Sequence, residues 1–150
     1  MTQQFLNLRR ALVEKDFGFM NDRQFEAVTA TQGALLVLAG AGSGKTTVLV
    51  NRIANLVKYG NAYNSDFVPF FTQNDIIAAQ DYIDGKTGQL LSNAFSVDAP
   101  RPWQILAITF TNKAANELKE RINAKLGEGG ESLWAGTFHS ICGKILSMNS

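Results

Sequence analysis

The sequence predicts an α/β fold, a parallel sheet with flanking helices, on three observations. Short apolar runs, Leu35-Leu36-Val37-Leu38, Ile105-Leu106-Ala107-Ile108-Thr109 and the stretch from Leu133 to Thr137, each precede a segment of helical periodicity. That repeated strand–helix order closes most simply through parallel crossovers. Between the first run and its helix lies a glycine-rich loop, Ala39-Gly40-Ala41-Gly42-Ser43-Gly44-Lys45-Thr46-Thr47, at the strand-to-helix junction where α/β sheets accept phosphates. The 150 residues and 45% apolar content fit one compact domain with a core of its own.

Element by element, Thr2 can cap a first helix in which Phe5, Leu8 and Leu12 recur at helical spacing, with Arg9, Arg10, Glu14 and Lys15 largely on the other side and a stop near Phe17-Gly18. Asn21 or Asp22 caps a short helix carrying Phe25 and Val28, and Gly33 opens the first strand. Val48, Ile53, Leu56 and Val57 line the helix after the glycine-rich loop, which Gly60 stops. Residues 61–102 differ in kind: they hold Tyr63, Phe67, Phe70, Phe71 and all three prolines, with one helix from a Thr72 cap through Ile76, Ile77, Ala79 and Ile83 to Gly85. This stretch reads as an insertion whose helix and aromatics pack onto the domain surface, serving either a partner or no function. The regular pattern then resumes. Residues 105–109 read as a buried parallel strand, and Lys113 to Leu126 as a helix with Ala114, Leu118 and Ile122 toward the sheet, an outer Glu117–Arg121 pair, and a stop at Gly127. Leu133 to Thr137 form a further strand and Ile141 to Leu146 a last helical stretch.

Composition excludes little but bounds the setting. A formal charge of +1 neither requires nor forbids nucleic acid, because a basic groove can exist on a neutral chain. The single cysteine, Cys142, cannot form an internal disulfide and is expected as a buried small residue. Arg9 and Arg10 are not followed by an apolar signal core, and no run reaches membrane-spanning length, so a reducing, cytoplasmic setting is expected.

The loop carries the chemistry. Glycines let successive backbone N–H groups turn around a phosphate, and the helix that follows adds its N-terminal dipole. Ala41, Gly42, Ser43 and Gly44 would form that cradle, Lys45 would reach the β- and γ-phosphates, and the Thr46 hydroxyl would ligate Mg²⁺, with Thr47 next to it in the binding segment. A nucleoside triphosphate is the expected ligand.

Four ordered segments resemble the UvrD/Rep-like superfamily 1 DNA helicases. Ala39-Gly40-Ala41-Gly42-Ser43-Gly44-Lys45-Thr46 is similar to that family's phosphate loop, Ala at its first position included; Thr47 stands where many members carry Arg. The run Met20-Asn21-Asp22-Arg23-Gln24-Phe25-Glu26-Ala27-Val28 resembles the glutamine motif, with Met20 in place of leucine. That resemblance implies that Gln24 reads adenine, which its planar amide, with one donor and one acceptor side, suits; without the motif it reads as an ordinary exposed glutamine. Ile105 through Ala115 resembles motif Ia, and Gly136-Thr137-Phe138-His139-Ser140 motif Ib. The resemblance implies the N-terminal part of a first RecA-like domain, ATP with Mg²⁺ as ligands, and movement along single-stranded DNA with 3′-to-5′ polarity. It places Phe110, Thr111, Asn112, Thr137, His139 and Ser140 along the DNA path. Short polar groups at strand ends suit contacts to phosphate and sugar, and an aromatic there can stack on an unpaired base. Phe110 read alone is equally a core aromatic, and His139 equally a hydrogen-bonded structural residue.

Phosphoryl transfer also requires a carboxylate at the end of an apolar strand and an arginine for developing charge. No apolar strand here ends in Asp-Glu; the nearest run is Phe95-Ser96-Val97-Asp98. The chain is therefore expected to be a fragment that binds ATP without hydrolysing it. Two other readings remain at this point: a small GTPase or nucleotide kinase, for which Asn112-Lys113-Ala114-Ala115 lacks the guanine-reading aspartate, and a folded fragment without activity.

Overall fold

The structure, a computed structural model, describes residues 1–30, 44–101, 104–109, 111–127, 134–137, 142–143 and 146, with the backbone alone at Gly44, Lys45 and Trp134. The strand expected over 35–38 lies outside these residues, as does most of the last helix. Described elements run α1 (Thr2–Phe17), α2 (Asp22–Thr29), α3 (Gly44–Lys58), α4 (Gln73–Ile83), β1 (Leu106–Thr109), α5 (Asn112–Leu126) and β2 (Trp134–Thr137). The result is a mixed α/β structure, mostly helical, with a small parallel sheet. The chain divides into two compact units, Met1–Gly33 with Lys58–Ala99, and Ala34–Val57 with Pro100–Ser150.

In the first unit α1 begins one residue earlier than a Thr2 cap would place it: Met1 is its N-cap and no side chain caps it. Phe5, Leu12, Val13 and Phe17 are buried as their spacing requires, and Leu8 only partly. Arg9 departs from expectation. It is fully buried, its Nη1 donating to the carbonyl of Phe67 and its Nη2 to that of Ser65, both at 2.7 Å. The guanidinium also lies 5.4 Å from the ring centre of Phe5, which stacks on Phe71 at 4.6 Å and on Phe95 at 4.7 Å. The physical reason is backbone accounting: residues 65–67 lie outside helix and strand, so their carbonyls need donors, and a five-donor guanidinium supplies two. Burial holds the Arg9 pKa below its ordinary value, partly offset by Asp66.

The segment after residue 60 thus joins α1 in building a core, rather than lying on one already made. Ile76, Ala79 and Tyr82 of α4 and Phe95 beyond it are buried, and α4 packs along α1. Asp16 of α1 accepts hydrogen bonds from the Tyr59 hydroxyl (2.5 Å) and the Tyr82 hydroxyl, and pairs with Lys58 at 2.6 Å. Burial and the adjacent carboxylate push both tyrosine hydroxyls above their ordinary pKa. Lys15 donates to the carbonyls of Tyr82 and Ile83, which end α4 and point their partial negative charge at the ammonium. Gly60, expected only to stop a helix, also permits a close approach. At φ +63° its N-terminal and C-terminal neighbours bond Val97 as an isolated parallel bridge, and an added Cβ would stand 2.1 Å from the Val97 carbonyl oxygen.

The second unit is regular. Ala107 and Ala135 from the paired strands meet Val50 and Ile53 of α3 and Ala115, Leu118 and Ile122 of α5 in one cluster. Small residues in the sheet let both helices approach closely, and on α5 the inner position is Ala115, not Ala114, which is half-buried. β1 and β2 are parallel, with Leu106 opposite Trp134, Ala107 opposite Ala135, Ile108 opposite Gly136 and Thr109 opposite Thr137. The sequence predicts β1 buried on both faces, yet Leu106 and Ile108 are 51% and 50% exposed. Side chains alternate between faces, and among the described residues only the Ala107 side is covered by helices. Gly127 closes α5 in a left-handed cap at φ +80°. No helix among the described residues is long and apolar enough to cross a membrane.

Candidate functional site

α3 (Gly44–Lys58) takes in the end of the glycine-rich motif, so that Lys45, Thr46 and Thr47 lie in its first described turn. Free amides at such a turn face outward along the helix axis and favour an anion, which is the geometry a phosphate loop needs. Ala41, Gly42 and Ser43 lie outside the described residues, as do Phe110, His139 and Ser140. Thr46 and Thr47 are half-buried. Thr46 places a hard hydroxyl oxygen one helical step beyond Lys45, a donor type that fits Mg²⁺.

Around Thr47 the structure adds two contacts that spacing alone did not show. Its carbonyl accepts from Asn51 Nδ2 at 2.8 Å, and its hydroxyl accepts from Arg121 Nη2 at 3.1 Å. The expected Glu117–Arg121 pair is absent among the described residues: Arg121 is half-buried and turned toward α3, where a hydroxyl is within its reach. Nothing in an i,i+4 pattern could have shown this, because the partner lies 74 positions away.

The strand ends bring a second set of expected residues together. Thr111 is the N-cap of α5, its hydroxyl accepting from the Ala114 N–H at 3.1 Å, and Asn112 is the first residue of the helix and exposed. Thr109, not singled out from sequence, donates to the Thr111 carbonyl at 2.9 Å and reaches the Gly136 carbonyl at 3.4 Å. Thr137 ends β2 beside Thr109. Thr109, Thr111, Asn112 and Thr137 thus sit at the carboxyl end of a parallel pair, where open α/β sheets bind ligands.

Gln24 sits in the first unit and closes a capping box on α2. Its N–H donates to Asn21 Oδ1 at 2.9 Å, and its Oε1 accepts from the Asn21 N–H at 3.2 Å. Asn21, rather than Asp22, is therefore the cap. The side-chain oxygen is committed to the helix start, while the Nε2 amide has no hydrogen-bond partner among the described residues. Phe95-Ser96-Val97-Asp98, the nearest acid-ended apolar run, forms a single bridge to Gly60 among the described residues, with Asp98 at φ 51°.

Comparison with known proteins gives this geometry a lineage. The chain is 41% identical over 127 residues to the ATP-dependent DNA helicase PcrA of Bacillus subtilis, covering 85% of this chain and 12% of that protein. It is 41% identical over 128 residues to PcrA of Leuconostoc citreum and 39% identical over 127 residues to PcrA of Staphylococcus aureus, again covering 85% of this chain and 12% of each relative. It therefore spans a small part of the relatives' length. Residues 20–79 and 85–150 match the model of the UvrD/REP helicase N-terminal domain, taking in Gln24, the phosphate loop and both strand-end motifs, and the chain belongs to that family.

Proposed function

We propose that this chain is the ATP-binding portion of an ATP-dependent DNA helicase that translocates 3′-to-5′ on single-stranded DNA, forming the N-terminal part of its first RecA-like domain. The observation that carries the reading is that Lys45 and Thr46, the end of the glycine-rich sequence run, lie in the first described turn of α3. In this reading the amides of Ala41 to Gly44 cradle the phosphates, Lys45 neutralises the β- and γ-phosphate charge, and Thr46 holds Mg²⁺. Bound Mg²⁺ supplies charge neutralisation across the phosphate oxygens. Gln24 reads adenine through the Nε2 donors left over from its capping box, and Thr47 belongs to the same binding segment. Thr111, Asn112 and Thr137, with Phe110, His139 and Ser140, lie along single-stranded DNA. Residues 61–102 are an insertion relative to the strand–helix repeat, and the setting is cytoplasmic.

Positioning and charge stabilisation supply nearly all the catalysis of phosphoryl transfer, and the chain lacks an apolar strand ending in Asp-Glu. The chain by itself therefore binds ATP and turns it over negligibly. Calorimetric titration with Mg·ATP and Mg·GTP tests this. ATP binding that falls at least about tenfold in Lys45→Ala supports the site, since a charge-assisted contact is lost. Equal ATP affinity in both proteins, or a preference for GTP, refutes it.

A further inference from the structure

Thr47 is held from two directions by side chains that the phosphate chemistry does not itself require. Asn51, only 4% exposed, donates to its carbonyl, and Arg121 donates to its hydroxyl from α5. The second of these bonds ties the first turn of α3 to a different helix. α5 is in turn fixed at its start: its N-cap Thr111 receives the Thr109 hydroxyl on its carbonyl, and Thr109 also reaches Gly136 on β2. The apolar cluster of Val50, Ile53, Ala115, Leu118 and Ile122 backs the same elements, so α3, α5 and the strand ends are packed as well as hydrogen-bonded.

We propose that Arg121 is a positioning residue for the nucleotide. By holding the Thr47 hydroxyl it sets the first turn of α3 against α5, and so aligns the Thr46 hydroxyl with the strand-end residues Thr109, Thr111 and Asn112. Arg121 touches no phosphate in this scheme; it acts through Thr47. The inference rests on the reading of α3 as a triphosphate site. A helix start that must present several amides to one phosphate loses affinity when it can tilt, because binding then has to restore the alignment. Arginine suits this role because its charge persists when half-buried and its planar fork loses little freedom on forming the bond.

The test is Mg·ATP titration of the 150-residue chain alongside Arg121→Ala, Arg121→Lys, Thr47→Val, the Ala/Val double variant and Lys45→Ala, with a thermal melt of each. Arg121→Ala and Thr47→Val are each expected to weaken ATP binding about tenfold, and the double variant to be no weaker than either single, because both remove one bond. Arg121→Lys, which can still donate to the hydroxyl, is expected to recover part of the loss. Should Arg121→Ala fail to fold, Thr47→Val, which keeps the side-chain shape, decides the matter. ATP affinity unchanged in Thr47→Val and Arg121→Ala, or losses that multiply in the double variant, overturns the proposal while leaving the triphosphate site intact. No ATP binding by the parent chain, or equal binding by Lys45→Ala, overturns the triphosphate reading, and this proposal falls with it.

Discussion

The two units solve the same packing problem with different materials. The second unit's apolar cluster is built of Val, Ile, Leu and Ala from two helices and a parallel pair, with Asn51, Arg52 and Asn55 of α3 buried besides. The first unit buries Phe5 between two other rings, sinks Arg9 completely, and gathers Tyr59, Tyr82 and Lys58 around the Asp16 carboxylate. The difference follows from what the chain does with its backbone. Where helices and strands satisfy their own amides, side chains mostly fill space, although α3 still buries Asn51, Arg52 and Asn55; where the described residues between α3 and β1 contain a single α-helix, side chains must also supply donors and acceptors. The regular unit carries the candidate phosphate helix, and the irregular one depends for its order on a few long-range polar contacts.

The sharpest way to break this contrast is Arg9→Met, which keeps bulk and apolar contact but removes both donors to Ser65 and Phe67. Two charge-assisted bonds lost, with the part-buried Ser65 and Phe67 carbonyls left without these donors, should cost about 3–5 kcal/mol in chemical denaturation. A loss below about 1 kcal/mol would mean that water satisfies those carbonyls and that the first unit does not rely on its buried cation.

The left-handed glycines sharpen the comparison at smaller scale. Gly60 at φ +63° faces the Val97 carbonyl at 2.1 Å from any added Cβ, whereas Gly127 at φ +80° has nothing within 4 Å. Gly127→Ala should therefore cost only the backbone term, about 1–2 kcal/mol. Gly60→Ala adds a clash that must displace the bridge to Val97 and should exceed it by at least about 1 kcal/mol. Equal losses would show that the bridge gives way without cost.

The smallest expected effect is at Asp75, whose carboxylate accepts from the Thr72 N–H at 2.9 Å and the Ser92 hydroxyl at 2.8 Å. These hydrogen bonds hold its pKa below the ordinary 3.8. A depressed folded-state pKa gives stability that is present above pH 3.8 and lost as pH falls through the folded value. Asp75→Asn should cost about 0.5–1 kcal/mol near neutrality, with the difference from the parent chain shrinking in acid. A difference independent of pH would assign the effect to the amide's geometry instead of the carboxylate's charge.

Periodicity alone determined a good deal of this protein. Residues within one or two turns of one another were enough for the end of α1, the Thr72 cap, the start of α4 and the Leu118–Ile122 face of α5, and they narrowed the α2 cap to Asn21 or Asp22; the α1 cap is Met1 instead of Thr2, and the parallel order of β1 and β2 followed from the repeated strand–helix order. The resemblance that led to the helicase family was equally local, resting on four short runs. Tertiary structure alone decided the burial of Arg9, the assembly of residues 61–99 with α1 into a core, the half-exposed face of β1, and the turn of Arg121 toward Thr47 instead of Glu117. Arg9 joins residues 56 and 58 positions away, and Arg121 one 74 positions away. A charged side chain is exposed by default in any local pattern, and it goes inside only when folding brings it unpaired carbonyls or a hydroxyl that no neighbouring donor can reach.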